Sequence, residues 1–101
     1  MSAIKYLKIK LIAYTADSYP GWVLCSFQDV KEKNYEFEEK VPVVTAEYYD
    51  KNTVYPQEAS VECEILNVTG NIATVNLSKP LGIEIDGNSI FQVFTDQLLD
   101  S

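Results

Sequence analysis

Residues 22–44 read WVLCSFQDVKEKNYEFEEKVPVV, and this stretch has the most regular pattern in the chain. Val23, Cys25 and Phe27 alternate with Leu, Ser and Gln, and the aromatic residues Tyr35 and Phe37 alternate with glutamates further on. A period of two residues is typical of β-strands. The polar residues 29–34 between the two arms are typical of a surface turn. The stretch therefore predicts a long β-hairpin, and the rest of the fold is predicted around it.

Similar alternation predicts further strands at 4–14, 61–65, 73–77, 83–85 and 90–94. Turn-forming residues lie at 67–71, which makes 61–65 and 73–77 a second predicted hairpin. The sequence DGNS at 86–89 predicts a third hairpin between 83–85 and 90–94, with Gly87 or Asn88 at positive φ. The tail 95–101 is expected either to form one turn with Leu98 and Leu99 on the core or to fray.

No long amphipathic helix interrupts this series of short strands, so the predicted fold class is all-β. With 101 residues the chain is expected to form a single domain over residues 1–101. The predicted architecture is a small antiparallel β-barrel, a partly open meander of hairpins. A two-sheet β-sandwich is the alternative.

Two places in and after the second arm of the hairpin break the alternation. Strict alternation would point Glu39 into the core, which predicts either a bulge or an edge position for this strand. Pro42 cannot donate a ladder hydrogen bond and should interrupt the pairing. Residues 45–52 then predict a loop, or one helical turn capped by Thr45.

The charges of the chain exclude several functional classes. Fifteen acidic residues against eight lysines give a net charge of −7, which argues against nucleic-acid binding because a phosphate backbone would be repelled. The absence of arginine removes bidentate recognition of phosphate, and the absence of histidine removes the ordinary proton shuttle near neutral pH. We therefore expect no catalytic residues and no enzymatic activity.

Two cysteines, Cys25 and Cys63, both fall on apolar positions of predicted strands. Free cysteine at such positions behaves as a small buried hydrophobic residue, so both thiols are expected to be reduced. Two cysteines without a histidine do not make a zinc site, and no metal or other cofactor is expected. Lysines interrupt any apolar signal segment near the start, and no membrane span is indicated, so the expected location is the cytoplasm.

The aromatic residues supply the main functional hypothesis. Tyrosine and tryptophan combine a large rigid face with a hydrogen-bonding group and are enriched at the centres of protein interfaces. The predicted function is a non-catalytic protein-binding module with a protein partner, favouring a basic one, as for an inhibitor, an immunity protein or a small assembly subunit. The sequence leaves self-association open. The candidate partner-binding residues are Tyr48, Tyr49, Tyr55, Tyr19 and Trp22, with Glu62 and Glu64 as a steering pair.

Two alternatives accompany this hypothesis. The tyrosines could simply cap the ends of the barrel, because tyrosine is common at half-buried positions. A different function, a small-molecule carrier, would use a pocket at the barrel mouth near Trp22, Tyr35 and Phe37.

Overall fold

The structure is a computed structural model that describes residues 3–100. Within them the chain is built mainly from antiparallel strands, with one short helix and one 3-10 turn. No helix in this part of the chain has the length and hydropathy needed to cross a membrane. The elements are β1 Ala3–Ala16, β2 Trp22–Gln28, β3 Asn34–Lys40, α1 Val41–Val44, β4 Gln57–Thr69, β5 Ile72–Asn76, β6 Ile90–Phe94, the 3-10 turn Thr95–Gln97 and β7 Leu98–Leu99.

One curled sheet has the strand order β3-β2-β1-β4-β5-β6, with β7 placed beside β1. The long β1 makes the curl, because its first part pairs with β4 and its last part pairs with β2. Lys10 and Leu11 are the residues of β1 that pair with both β2 and β4. The result is a half-barrel, which agrees with the predicted small open barrel rather than with two stacked sheets.

The core lies on the inner face of the half-barrel, and the predicted alternation identifies it. Cys25 and Cys63 are free and fully buried, as the sequence predicts. Side chains on alternate positions of neighbouring strands share a face, so the register places the inward residues of each strand beside those of the next. The fully buried side chains include Leu7, Leu11, Val23, Val61, Val75, Leu77 and Val93.

The organising hairpin pairs β2 with β3 from Trp22 opposite Lys40 to Gln28 opposite Asn34. Its second arm is shorter than predicted, because β3 ends at Lys40 and residues 41–44 form α1 with a proline in the first turn. Thr45 does not begin a helix; it ends α1, and its N–H donates to the Val41 carbonyl oxygen at 3.2 Å. β3 is an edge strand, which explains how Glu39 on its inward series stays only half-buried.

An aromatic cluster draws the two ends of the sheet together. The ring of Phe91 on β6 lies 5.3 Å from that of Phe27 and 4.7 Å from that of Tyr35, on β2 and β3. The N–H of Val30, in the turn between β2 and β3, donates to the carbonyl oxygen of Gln92 at 3.0 Å. These contacts bring β6 against β2 and β3 near the turn of the organising hairpin, although β6 does not pair with either strand in the sheet.

The third predicted hairpin forms only at its turn, where the N–H groups of Ile85 and Asn88 each donate to the other's carbonyl oxygen. Residues 83–85 make only one isolated bridge, from Ile85 to Asn88, while β6 pairs with β5. The N–H of Ile83 donates to the Leu77 carbonyl oxygen, so this segment folds back over the end of β5 and buries Ile83 and Ile85. Gly87 has the predicted positive φ, and the second positive φ of the turn lies at Asp86 rather than at Asn88.

The tail adds a short strand to the sheet. Leu98 and Leu99 pair with Leu7 and Tyr6, so the predicted docking occurs, although only Leu98 packs against the core and Leu99 is exposed. Residue 101 of the predicted tail lies outside the described residues.

Candidate functional site

One end of the half-barrel collects most of the predicted partner-binding residues. Because the strands are antiparallel, β1 and β3 end there while β2 and β4 begin there. The turn at 17–21, the helix α1 and the loop at 45–56 connect these strand ends. We call this region the tyrosine end, defined by Tyr19, Trp22, Tyr48, Tyr49 and Tyr55.

The four tyrosines of this region divide into two pairs with different roles. Tyr49 and Tyr55 pack against the core with their ring centroids 6.5 Å apart, and the Tyr55 hydroxyl donates to the Asp50 carbonyl oxygen at 3.0 Å. Burial is the main cause that raises the pKa of Tyr55. Tyr19 is 98% exposed and Tyr48 is 86% exposed. The barrel-capping interpretation therefore applies to the first pair, and only the second pair offers large free aromatic faces.

Short hydrogen bonds hold the loop that carries Tyr48. On one side of it, the N–H of Glu47 donates to the Thr45 hydroxyl at 3.0 Å. On the other side, the N–H of Asp50 donates to the Thr53 hydroxyl at 2.9 Å, and the N–H of Thr53 donates a hydrogen bond back to the Asp50 carbonyl oxygen. Tyr48 is thus displayed between two hydrogen-bonded turns.

The turn that carries Tyr19 is tied to α1 through Gly21. The N–H of Gly21 donates to the Ser18 carbonyl oxygen at 2.7 Å, and its own carbonyl oxygen accepts from the N–H of Val41 at 3.0 Å. Gly21 has a φ of +94°, a conformation that favours glycine. This link positions the Tyr19 turn relative to the segment that leads into the Tyr48 loop.

Tyr14 belongs to the same region, although sequence reasoning did not include it in the site. Its pKa is raised, first by partial burial and then by the carboxylate of Asp17, with smaller contributions from Tyr48 and Asp50. The Tyr14 phenol itself lies against Gly21 in the turn at 17–21. Its alternation on β1 could not identify it, because the irregularity between Leu11 and Ala13 shifts its register.

Trp22 forms the side of the tyrosine end. It is half-buried, and the ammonium of Lys40 lies 5.7 Å from the centre of its ring. A cation over an aromatic face contributes about 0.5–1 kcal/mol at an exposed site. The Trp22 ring therefore already has a cation–π contact with Lys40, whereas the rings of Tyr19 and Tyr48 are almost fully exposed.

Glu62 and Glu64 do not join the tyrosine end. They lie on β4 opposite Tyr6 and Ile4, and Glu64 accepts a hydrogen bond from the Asn76 amide at 3.3 Å. Glu62 comes five residues after the start of β4, which is about 17 Å along the strand at ~3.4 Å per residue. The structure therefore brings five of the seven predicted residues to one end of the barrel and leaves the two glutamates apart.

The three residues predicted to line a carrier pocket do not lie next to one another either. Trp22 and Tyr35 lie near opposite ends of the organising hairpin, and Phe37 is buried in the core. A cavity of about 410 Å³ does adjoin Tyr35, between the turn that follows β2 and the strand β6.

A groove on the outer face of the sheet was missed by sequence reasoning. Its volume is about 860 Å³, and residues of β1, β2 and β4 line it together with Asn34, Gln97 and Leu99. The only local signal for it is the pair Lys8 and Lys10 on the wet face of β1. The remaining lining residues come from segments whose adjacency requires the strand order.

Comparison with known proteins gives no relative. No family model matches the chain, and no curated protein and no solved structure matches it either. The class that the fold defines is a small antiparallel half-barrel, and any function has to be argued from its surfaces.

Proposed function

We propose that this protein is a non-catalytic binding module whose tyrosine end docks on another protein. The observation that supports this most is the exposure of Tyr19 and Tyr48, at 98% and 86%, on turns that are fixed by hydrogen bonds. A rigidly presented aromatic face loses little conformational freedom on binding and buries a large area. Val54, which is 79% exposed in the same loop, extends the apolar area.

The partner we propose is basic. The whole chain has a net charge of −7, and the residues around the tyrosine end continue this excess. A basic surface would be attracted during encounter, and a second copy of this chain would be repelled. The charged residues in segments 16–22 and 39–56 are Asp17, Glu39, Glu47 and Asp50 against Lys40 and Lys51.

The chemistry of the ionisable groups supports a role without catalysis. Burial raises the pKa of Cys25 to about 12 and that of Cys63 to about 11, whereas a nucleophilic thiol requires a lowered pKa. Binding as an inhibitor, an immunity protein or an assembly subunit needs no activated group. The proposal places the protein in the cytoplasm, where free thiols stay reduced.

The alternative proposal is a small-molecule carrier. It has less support at the predicted mouth, because Phe27, Tyr35 and Phe91 pack against one another there. If it applies, its pocket would be the cavity beside Tyr35 rather than a site shared with Trp22 and Phe37.

Site-specific photo-crosslinking tests the protein-binding proposal. A benzophenone amino acid replaces Tyr48 in one variant and Val68 in a matched control, because Val68 is also exposed but lies near the end of β4, far from the tyrosine end. The expected result is a protein crosslinked through position 48 and absent with position 68. The recovered protein is then purified, and its affinity is measured for the unmodified chain, Tyr19→Ala and Tyr48→Ala.

A loss of about thirtyfold or more in affinity is expected for at least one tyrosine variant, since truncating a buried interface anchor costs 2 kcal/mol or more. Equal crosslinking at both positions, or unchanged affinity in both variants, would rule out the tyrosine end as the interface.

A further inference from the structure

We propose that the groove on the outer face of the sheet binds a small hydroxylated organic anion, such as a sugar acid or a sugar phosphate. This site is separate from the tyrosine end and does not depend on the function proposed for it. The groove lies where β1 changes neighbours, since β1 pairs with β7 at Tyr6 and Leu7 and with β2 only from Lys10 onward. The gap between these two neighbours leaves room for a ligand beside β1.

Ser26 marks the groove as a site for a polar ligand. Only 8% of its surface is exposed, and its hydroxyl has no hydrogen-bond partner among residues 3–100. Within the same residues, no side-chain oxygen or nitrogen is both unpartnered and sealed from solvent. The Ser26 hydroxyl therefore opens into the groove that it lines. A nearly buried hydroxyl without a partner gains most from a ligand that brings one.

Two lysines on the solvent-exposed face of β1 supply positive charge to the groove. Lys8 and Lys10 are two residues apart on one strand, so both project to the outer face and both line the groove. The Lys8 ammonium donates to the Asp96 carbonyl oxygen at 2.9 Å, which orients it and leaves it two further protons to donate. The Lys10 ammonium has no ion-pair partner within residues 3–100.

Oxygen groups complete the recognition surface. Ser60 lies opposite Lys8 on β4, and Glu58 lies opposite Lys10. An acid group of a ligand would lie between the two ammonium groups, while its hydroxyls would donate to Glu58 and exchange hydrogen bonds with Ser26 and Ser60. This arrangement favours an anion that also carries hydroxyl groups over a bare anion.

One wall of the groove is fixed before any ligand arrives. The side-chain amide of Gln97 donates to the Gln28 carbonyl oxygen at 2.8 Å, which joins the 3-10 turn to the end of β2. The volume of about 860 Å³ is within the range of ligand sites, which is roughly 300–1,000 Å³.

The charge of the whole chain favours a small ligand over a polyanion. A nucleic acid or an acidic protein would extend beyond the groove and meet the excess carboxylates that make the net charge −7. A small anion experiences mainly the two lysines and the one carboxylate, Glu58, that line the groove, because charges beyond about 8 Å are screened at physiological salt.

Titration followed by two-dimensional NMR of the labelled protein tests this proposal. The probes are glucose 6-phosphate and gluconate, with glucose and inorganic phosphate as separate arms. The variants are Lys10→Gln and Ser26→Ala, and the control is Lys51→Gln, which removes the same charge from the exposed loop at 45–56. We expect one of the two hydroxylated anions to shift the backbone amides of residues 8–10, 26–28 and 58–60.

The variants should weaken that binding selectively. Lys10→Gln is expected to raise the dissociation constant about tenfold, because it removes a hydrogen bond to a charged group. Ser26→Ala should raise it about fivefold without lowering the stability, since the hydroxyl has no protein partner to lose. Lys51→Gln should leave it unchanged.

Three results would overturn the proposal. The first is the absence of shifts around the groove with either hydroxylated anion up to about 20 mM, well above a millimolar dissociation constant. The second is an equal loss of affinity in Lys10→Gln and Lys51→Gln, which would indicate general charge attraction. The third is inorganic phosphate or glucose binding as tightly as the hydroxylated anion that binds best, because the groove would then not recognise acid and hydroxyl groups together.

Discussion

The hydroxyl oxygen of Tyr14 lies 2.7 Å from the position that a Cβ atom at Gly21 would occupy. Two further atoms of the same ring are 3.2 Å and 3.3 Å from that position, so the phenol packs directly on the glycine backbone. Gly21 also has positive φ and accepts the hydrogen bond that ties α1 to the turn between β1 and β2. The absence of a side chain at this residue therefore shapes the tyrosine end.

Gly21→Ala is expected to lower the free energy of unfolding by about 2–3 kcal/mol. Positive φ alone costs an alanine about 1–2 kcal/mol, and the contact with Tyr14 adds to it. The control is Gly70→Ala, which has a φ of +60° but no atom near the new Cβ, so it reports the cost of the backbone conformation alone. Urea unfolding of both variants measures the difference. Equal losses in the free energy of unfolding would show that the Tyr14 ring moves aside without an energetic cost.

Phe37→Ala is expected to cost about 3 kcal/mol, the lower part of the range for removing a buried phenylalanine. Phe37 lies opposite Cys25 and is only 9% exposed, but β3 is an edge strand, where neighbouring side chains relax more easily. The control is Glu36→Ala, an exposed neighbour that should change stability by no more than about 0.5 kcal/mol. A loss below about 1 kcal/mol for Phe37→Ala would contradict its position in the core.

The two buried thiols predict a loss of stability in alkali. Burial raises the pKa of Cys25 to about 12 and that of Cys63 to about 11 from a value of 9.0. Since the unfolded chain ionises first, the stability from these thiols is fully present below about pH 9 and falls as the pH rises toward the folded values.

Together the two thiols should account for roughly 2–3 kcal/mol of lost stability between pH 8 and pH 10. The measurement is urea unfolding at both pH values, compared with a variant that carries Cys25→Ala and Cys63→Ala. Lysines and tyrosines titrate in both proteins, so the difference isolates the thiols. The same loss in both proteins would mean that the thiols are not the cause.

The organising hairpin was predictable because one of its faces is buried and the other is exposed to solvent. A slip of one residue would have turned Cys25 and Phe37 outward, so the pattern itself defines the register that pairs them. The end of the second arm was less certain, since Pro42 predicts an interruption but not that α1 would follow at once.

The segment 83–85 shows where local periodicity fails. Ile83 and Ile85 alternate with a glutamate as a strand would, yet they fill space at the end of β5 without joining the sheet. A buried irregular segment and a half-buried strand give the same short pattern, and only the contact with Leu77 distinguishes them.

The site could be predicted only in part for a similar reason. Tyr48 and Tyr49 are adjacent and chemically identical, but one is exposed and the other packs against Tyr55. No sequence signal separates them, because their difference depends on how the loop lies across the strand ends. The separation of Glu62 from the tyrosines likewise follows from its place along β4.

That separation gives a prediction about electrostatic steering of a basic partner. Glu62 and Glu64 lie about 17 Å or more along β4 from its start at the tyrosine end, beyond the screening length of about 8 Å at physiological salt, whereas Glu47 precedes Tyr48 directly and Asp17 lies in the turn that carries Tyr19. Neutralising the near pair with Asp17→Asn and Glu47→Gln should therefore slow association more than neutralising the far pair with Glu62→Gln and Glu64→Gln. Both double variants change the net charge equally.

Stopped-flow association at low and physiological salt, with the partner obtained by crosslinking, makes this comparison. We expect the near pair to lower the association rate constant severalfold at low salt and the far pair to lower it less, with dissociation nearly unchanged in both. At physiological salt only the near pair should retain a measurable effect. A larger effect of the far pair at both salt concentrations would place the contact surface on the outer face of β4 rather than at the tyrosine end.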